Sequence, residues 1–263
     1  MFKWLRRLRA LPSIPEDAWQ ATIQRYAFLG ALPAAAQQRL RILAAEFLRD
    51  KEFHGTQGFV ITDEVALAIA AQAVLPILNL KGGLDWYDDF VGIVVHPSEV
   101  VARRKIVDEA QVVHEYDEVV AGEAMDRGPV MLSWQDVLAS GITTGGGYNV
   151  VIHEFAHKID MRAGDADGCP PLPPGFAGKR SAREARAAWL AVLQPAYEDF
   201  REKTILAERF GAEPPWLDDY GAVSISEFFA VACEAYFVNR TAFARDFPSV
   251  LALFDEFFGR GQA

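Results

Sequence analysis

Cysteine is nearly absent from this chain. Two residues in 263, Cys169 and Cys233, are too few for a disulfide scaffold, and they point to a reducing, cytoplasmic setting. Long apolar runs are missing as well. A charge-free stretch, 65–80, holds Gln72, Pro76 and Asn79, so it is too short and too polar to cross a bilayer and reads as a buried helix. The first ten residues, MFKWLRRLRA, carry four basic groups with no uninterrupted apolar stretch behind them, so no signal peptide is expected; the expectation is a frayed, solvated start, with a weak membrane-surface or partner-binding helix as the alternative. A basic surplus is lacking too. Asp and Glu number 36 against 26 Lys and Arg, for a net charge of −10, so no nonspecific nucleic-acid binding is expected. There is no internal repeat and no low-complexity segment.

What the chain has is apolar mass: 51% hydrophobic residues, enough for a sizeable core in one large domain or two small ones. Residues 16–30 and 34–51 read as amphipathic helices, the second with Leu40, Leu43, Phe47 and Leu48 as its stripe. Thr62 caps the next helix. The texture then changes. Residues 91–95 (VGIVV) form a β-branched run ended by Pro97, and 112–120 and 129–134 read as further strands. Helices dominate again after a Pro/Gly-rich loop at 165–178. The expected architecture is α+β: a helical N-terminal part over 1–84, then a part over 85–263 with a small, mostly antiparallel sheet and two helices bearing chemistry.

The first of those helices carries His153-Glu154-Phe155-Ala156-His157, an HExxH pattern. Positions four apart share one helix face, so both imidazoles can reach one metal ion, and Glu154 can take a proton from a water there. Gly145-Gly146-Gly147 precede the helix as a loop, Asn149 is its N-cap, and Gly164 is its stop. Val151, Phe155 and Ile159 form its core stripe. Asp160, on the histidine side, is placed to orient a liganding imidazole. The bland alternative is an amphipathic helix with two polar-face histidines.

Catalytic zinc takes three protein ligands and a water, so a third is needed. His54, His96 and His114 lie far upstream, and Asp165 and Asp167 lie past the stop. The better source is SISEFFAVACEAYFV (224–238), apolar on all sides and so buried, with Glu227 and Glu234 seven apart on one face. Ser224-x-x-Glu227 is also a capping box, which would occupy Glu227 otherwise. Spacing alone leaves Glu227 and Glu234 level. Tyr220 is a further polar group within reach of such a site.

HEFAHKIDMR (153–162), followed by Tyr220 and SEFFAVACEAYF (226–237), resembles the Mlc titration factor A family of bacterial zinc metallopeptidases. The similarity extends to LRILAAEFLRDKEF (40–53), ITDEVALAIAAQAVLPILNL (61–80), IVVHPSEV (93–100) and GPVMLSW (128–134). It implies a zincin-like fold with one Zn2+ per chain held by His153, His157 and Glu227, a gluzincin-type set. It further implies Glu154 as catalytic base, Tyr220 at the metal, and Glu234 as a neighbour of the site. The activity implied is aminopeptidase-type hydrolysis of a peptide or protein substrate, with a transcriptional repressor, Mlc, as the family's partner. The rival expectation is a non-catalytic protein that sequesters a transcription regulator, with zinc structural or switch-like. GPVMLSW is expected to be an edge strand along which a peptide pairs, and Glu123 and Glu234 are the candidates to anchor a free amine.

Overall fold

A computed structural model describes residues 11–107, 113–142 and 144–259, without the side chains of 100–107, 113–120 and 144. The basic N-terminal segment 1–10 and the His114 side chain lie outside the described residues.

Three helices open the described residues: α1 (Glu16–Arg25), α2 (Ala27–Gly30) and α3 (Ala34–Asp50). The expected helix over 16–30 is broken at Tyr26, whose extended backbone lets its hydroxyl donate to Val137 O at 3.1 Å. Strand β1 (Glu52–Gly55) follows, then α4 (Asp63–Ala73), started by Thr62, whose side chain accepts the Val65 N–H. Helix α4 ends seven residues short of the expected Leu80, because Pro76 can donate no helical hydrogen bond and disfavours helix in the residue before it.

Five more strands and six more helices complete the described chain. The strands after β1 are β2 (Gly92–His96), β3 (Val100–Val107), β4 (Val113–Val120), β5 (Gly122–Ala124) and β6 (Val130–Ser133). The helices are α5 (Trp134–Ala139), α6 (Val150–Asp160), α7 (Ala182–Phe210), α8 (Ile225–Val238), α9 (Arg240–Asp246) and α10 (Pro248–Phe258).

The architecture is α+β as expected, but the main sheet is mixed. Its order is β1-β2-β6-β5, with β1–β2 and β2–β6 parallel and β5–β6 antiparallel. The expected antiparallel pairing holds for β5–β6 and for the separate β3–β4 ladder. Parallel pairing needs long crossovers, and here α4 and the 3₁₀ turn Gly83–Tyr87 carry the chain from β1 to β2. Strand β1 comes from the helical N-terminal part, so that part is stitched into the sheet.

Aromatic side chains bind the helices to one another. Phe155 of α6 lies 5.6 Å from Phe47 of α3, 4.9 Å from Tyr87 and 6.0 Å from Phe90, ring centre to ring centre. Trp189 of α7 stacks on Phe254 of α10 at 5.8 Å and meets Phe229 of α8 at 6.0 Å. These buried rings fix α6 against α3 and fix α8 and α10 against α7, leaving one face of α6 and one of α8 for chemistry.

Candidate active site

Helix α6 starts where Asn149 accepts the Ile152 N–H at 2.8 Å, and gives way to a 3₁₀ turn, Met161–Ala163, before Gly164. Val151, Phe155 and Ile159 are fully buried, so the 3.6-residue period turns His153, Glu154 and His157 away from that core. Helix α8 starts at Ser224, whose Oγ accepts the Glu227 N–H at 3.1 Å. Only half of the expected capping box forms, for the Glu227 carboxylate turns to the histidines instead.

There Glu227 Oε2 lies 3.1 Å from His153 Nε2 and 3.0 Å from His157 Nε2, with the two Nε2 atoms 3.2 Å apart. The other ring nitrogens are held from behind. His153 Nδ1 lies 2.8 Å from Glu234 Oε1, and His157 Nδ1 lies 3.3 Å from Ser226 Oγ. A carboxylate can only accept, so Glu234 keeps a hydrogen on Nδ1 of His153, which would leave the Nε2 lone pair to a cation at the shared point. Two imidazoles and a carboxylate converging within 4.8 Å could hold a metal ion, and the donor set suits a divalent transition metal.

Burial pushes the Glu154 carboxyl up, partly opposed by His153 and His157. Glu234 is pushed up by burial against the pull of His153. Burial works the same way on Glu227, but hydrogen bonds from His153 and His157 outweigh it and hold the carboxyl well below the ordinary range. His153 is driven the other way. Burial disfavours its charge, yet Glu227 and Glu234 raise it well above its usual value. Three carboxyl groups and two imidazoles thus share one small, buried site and shift one another's protonation.

A cleft of about 380 Å³ opens onto this centre. Glu99, Glu123, Asp218 and Tyr220 stand around it, and no Lys or Arg lines it among the described residues. The Tyr220 ring lies 5.9 Å from that of His153, on a 3₁₀ turn (Asp219–Ala222) whose start is capped by Asp218, and it is half exposed to the cleft.

Several expectations are corrected. The sheet edge lining the cleft is β5, since GPVMLSW supplies β6, which is paired on both sides. Asp160 accepts the Gly168 N–H at 2.7 Å, and the histidines take Glu234 and Ser226 as rear partners. Asp167 is bound to Arg186, and His96 lies 2.6 Å from Thr56. Neither these nor His54 and Asp165 join the donor cluster. Both cysteines are free and buried. Ser226 went unread in the sequence, where a serine two residues into a helix carries no signal.

The sequence profile of the glucose-regulated metallo-peptidase M90 family matches residues 2–259. Proteins called Mlc titration factor A are similar along nearly the whole chain. The one from Escherichia fergusonii is 33% identical over 261 residues, covering 99% of this chain and 92% of its own. That from Edwardsiella ictaluri is 37% identical over 231 residues, 88% of this chain and 82% of its own. That from Cronobacter sakazakii is 32% identical over 99% of this chain. With HExxH on α6, a distant glutamate on α8 and this continuous match, the chain belongs to the glucose-regulated metallo-peptidase M90 family.

Proposed function

We propose that the protein is a zinc aminopeptidase, with His153, His157 and Glu227 holding one Zn2+ and Glu154 as general base. The observation that carries this is the convergence of three donor atoms within 4.8 Å beside a buried glutamate. When bound, such an ion supplies a water that ionises near neutral pH and polarises the scissile carbonyl. Glu154 accepts the proton of the attacking water and returns it to the departing amine. Tyr220, half exposed beside His153, donates its hydroxyl to the carbonyl oxygen as charge develops there. Strand β5 gives the substrate backbone an edge to pair with.

The acidic mouth supports action at an amino terminus. Glu99, Glu123 and Asp218 attract a free ammonium, whereas a terminal carboxylate finds no Lys or Arg among the described lining residues. The two unbridged cysteines fit a cytoplasmic location. No described helix is long and apolar enough to cross a membrane.

The test is elemental mass spectrometry on protein purified without affinity metal, joined to a peptide-library digest. About one zinc per chain and amino-terminal trimming, absent in Glu154→Gln, support the reading. Bound metal without any hydrolysis would favour the second reading, a regulatory binding protein. Two observations speak for that one. The relatives are named for titrating Mlc, and Val60 and Ile142, 73% and 84% exposed, flank an apolar groove with Phe59, Trp134 and Leu138. Co-purification with a Mlc-type repressor, lost on Ile142→Asp, would establish it.

A further inference from the structure

The edge strand β5 and the catalytic helix α6 meet at two points one helical turn apart. At the first, the Glu154 carboxyl lies directly on the backbone of Gly122. A Cβ at Gly122 would stand 2.5 Å from Glu154 Oε1, 2.7 Å from its Cγ and 2.8 Å from its Cδ, distances that real side chains do not tolerate. Backbone conformation does not demand this glycine, since its φ lies outside the left-handed region. The demand is the space taken by the base.

At the second, Lys158, four residues after Glu154 and so on the same face, reaches under the β5–β6 turn. Its ammonium donates to Met125 O and, at 2.9 Å, to Gly128 O, and it lies 4.4 Å from the centre of the Phe90 ring. The side chain is fully buried. Burying an ammonium is costly, and an apolar side chain of the same length would fill the space more cheaply. What the lysine adds is a fixed tie between the catalytic helix and the two carbonyls that close the turn. The turn in turn sets β5, through the antiparallel pairs Gly122–Leu132 and Ala124–Val130.

We infer that Gly122 and Lys158 are positioning residues that hold β5 and Glu154 in one fixed relation, Gly122 setting where the base sits and Lys158 setting where the substrate strand lies. This rests on the peptidase reading. Neither residue reacts. Gly122 allows the carboxylate to lie against the strand along which the substrate pairs, and Lys158 keeps that strand from sliding. Misplacement of the base by a fraction of an ångström is enough to lose rate.

Two arms test it. Lys158→Met keeps the buried length and removes the donors. In hydrogen–deuterium exchange, which needs no activity, the amides of 122–128 exchange about 10-fold faster or more in that variant, while those of α8 keep their protection. Unchanged protection of 122–128, or an equal loss in α8, overturns the clamp. In kinetics, the loss of kcat/KM for a tetrapeptide exceeds that for an aminoacyl p-nitroanilide, which has no backbone to pair, by about 10-fold. Equal losses signify plain destabilisation and overturn it. For Gly122, a double-mutant cycle applies. Gly122→Ala lowers kcat about 100-fold with metal content unchanged, and it lowers the denaturant midpoint of the otherwise unaltered protein but not that of a Glu154→Ala background, which lacks the Cγ, Cδ and Oε1 atoms that meet the new methyl. Equal losses in both backgrounds overturn the Gly122 assignment. If unaltered protein cleaves nothing, the peptidase reading has failed, and exchange alone decides the clamp.

Discussion

Glu234 Oε1 lies 2.8 Å from His153 Nδ1, while the other oxygen of the same carboxylate accepts the backbone N–H of Asn149. One side chain of α8 thus satisfies the start of α6 and turns its first histidine. Asn149 is itself held by Gln72 of α4, whose Oε1 accepts from Nδ2 at 2.7 Å. The orientation of His153 is therefore a property of three helices.

Glu234→Gln weakens metal binding about 10- to 100-fold, the usual cost of losing a carboxylate behind a liganding imidazole. The amide has one acceptor oxygen where the carboxylate had two, so either His153 or Asn149 loses its partner. Glu234→Ala leaves both donors unpaired and also costs about 1 to 3 kcal/mol of stability. Chelator competition and chemical unfolding measure the two effects separately. A Glu234→Gln protein with unaltered metal affinity would remove Glu234 from the site's function.

Glu154→Gln keeps its metal and loses turnover by about 100-fold or more. The prediction separates base from ligands, because Glu154 lies outside the cluster of three donor atoms. Metal content and peptidase rate on one preparation decide it. Near-normal turnover would require another base.

Glu227→Ala abolishes stoichiometric metal binding yet leaves the fold intact. The N–H that Ser224 accepts belongs to the backbone and survives the substitution, so α8 keeps its cap. Chelator lowers the melting temperature of the unaltered protein, since a ligand at about 1,000 times its Kd adds about 4 kcal/mol. The same chelator leaves Glu227→Ala where it was. A variant that still responds to chelator would place the metal elsewhere.

Much of this site was open to sequence reading because its parts are local. The spacing of His153 and His157, the Asn149 cap and the Val151–Phe155–Ile159 stripe all lie within one helix, and a helix writes its faces into its own period. The contest between Glu227 and Glu234 was not local. Both lie on the α8 face toward α6, and which one meets Nε2 and which Nδ1 depends on how the two helices are set by Phe155, Trp189 and Phe229, far apart in sequence. Strand β5 was hidden for a different reason: three residues, Gly-Glu-Ala, have no room for an alternation. Its edge position followed from parallel pairing of β2 with β6, which no turn signal announces.

Asp160 supplies a pH-dependent term. It is fully buried at the end of α6, and burial raises its carboxyl from 3.8 to about 6, opposed by the Gly168 N–H. The folded protein therefore binds this proton more tightly than the unfolded chain does. Its favourable contribution is complete below about pH 3.8 and is lost as pH rises through about 6. The shift corresponds to on the order of 3 kcal/mol. Asp160→Asn keeps an oxygen for the Gly168 N–H and removes the ionisation. In metal-free protein, the two stabilities coincide near pH 4 and diverge through pH 6, with Asp160→Asn the more stable above it. Denaturant unfolding at several pH values follows the difference. Parallel curves, or an Asn variant weaker at neutral pH, would show that the ionised Asp160 is compensated within the fold.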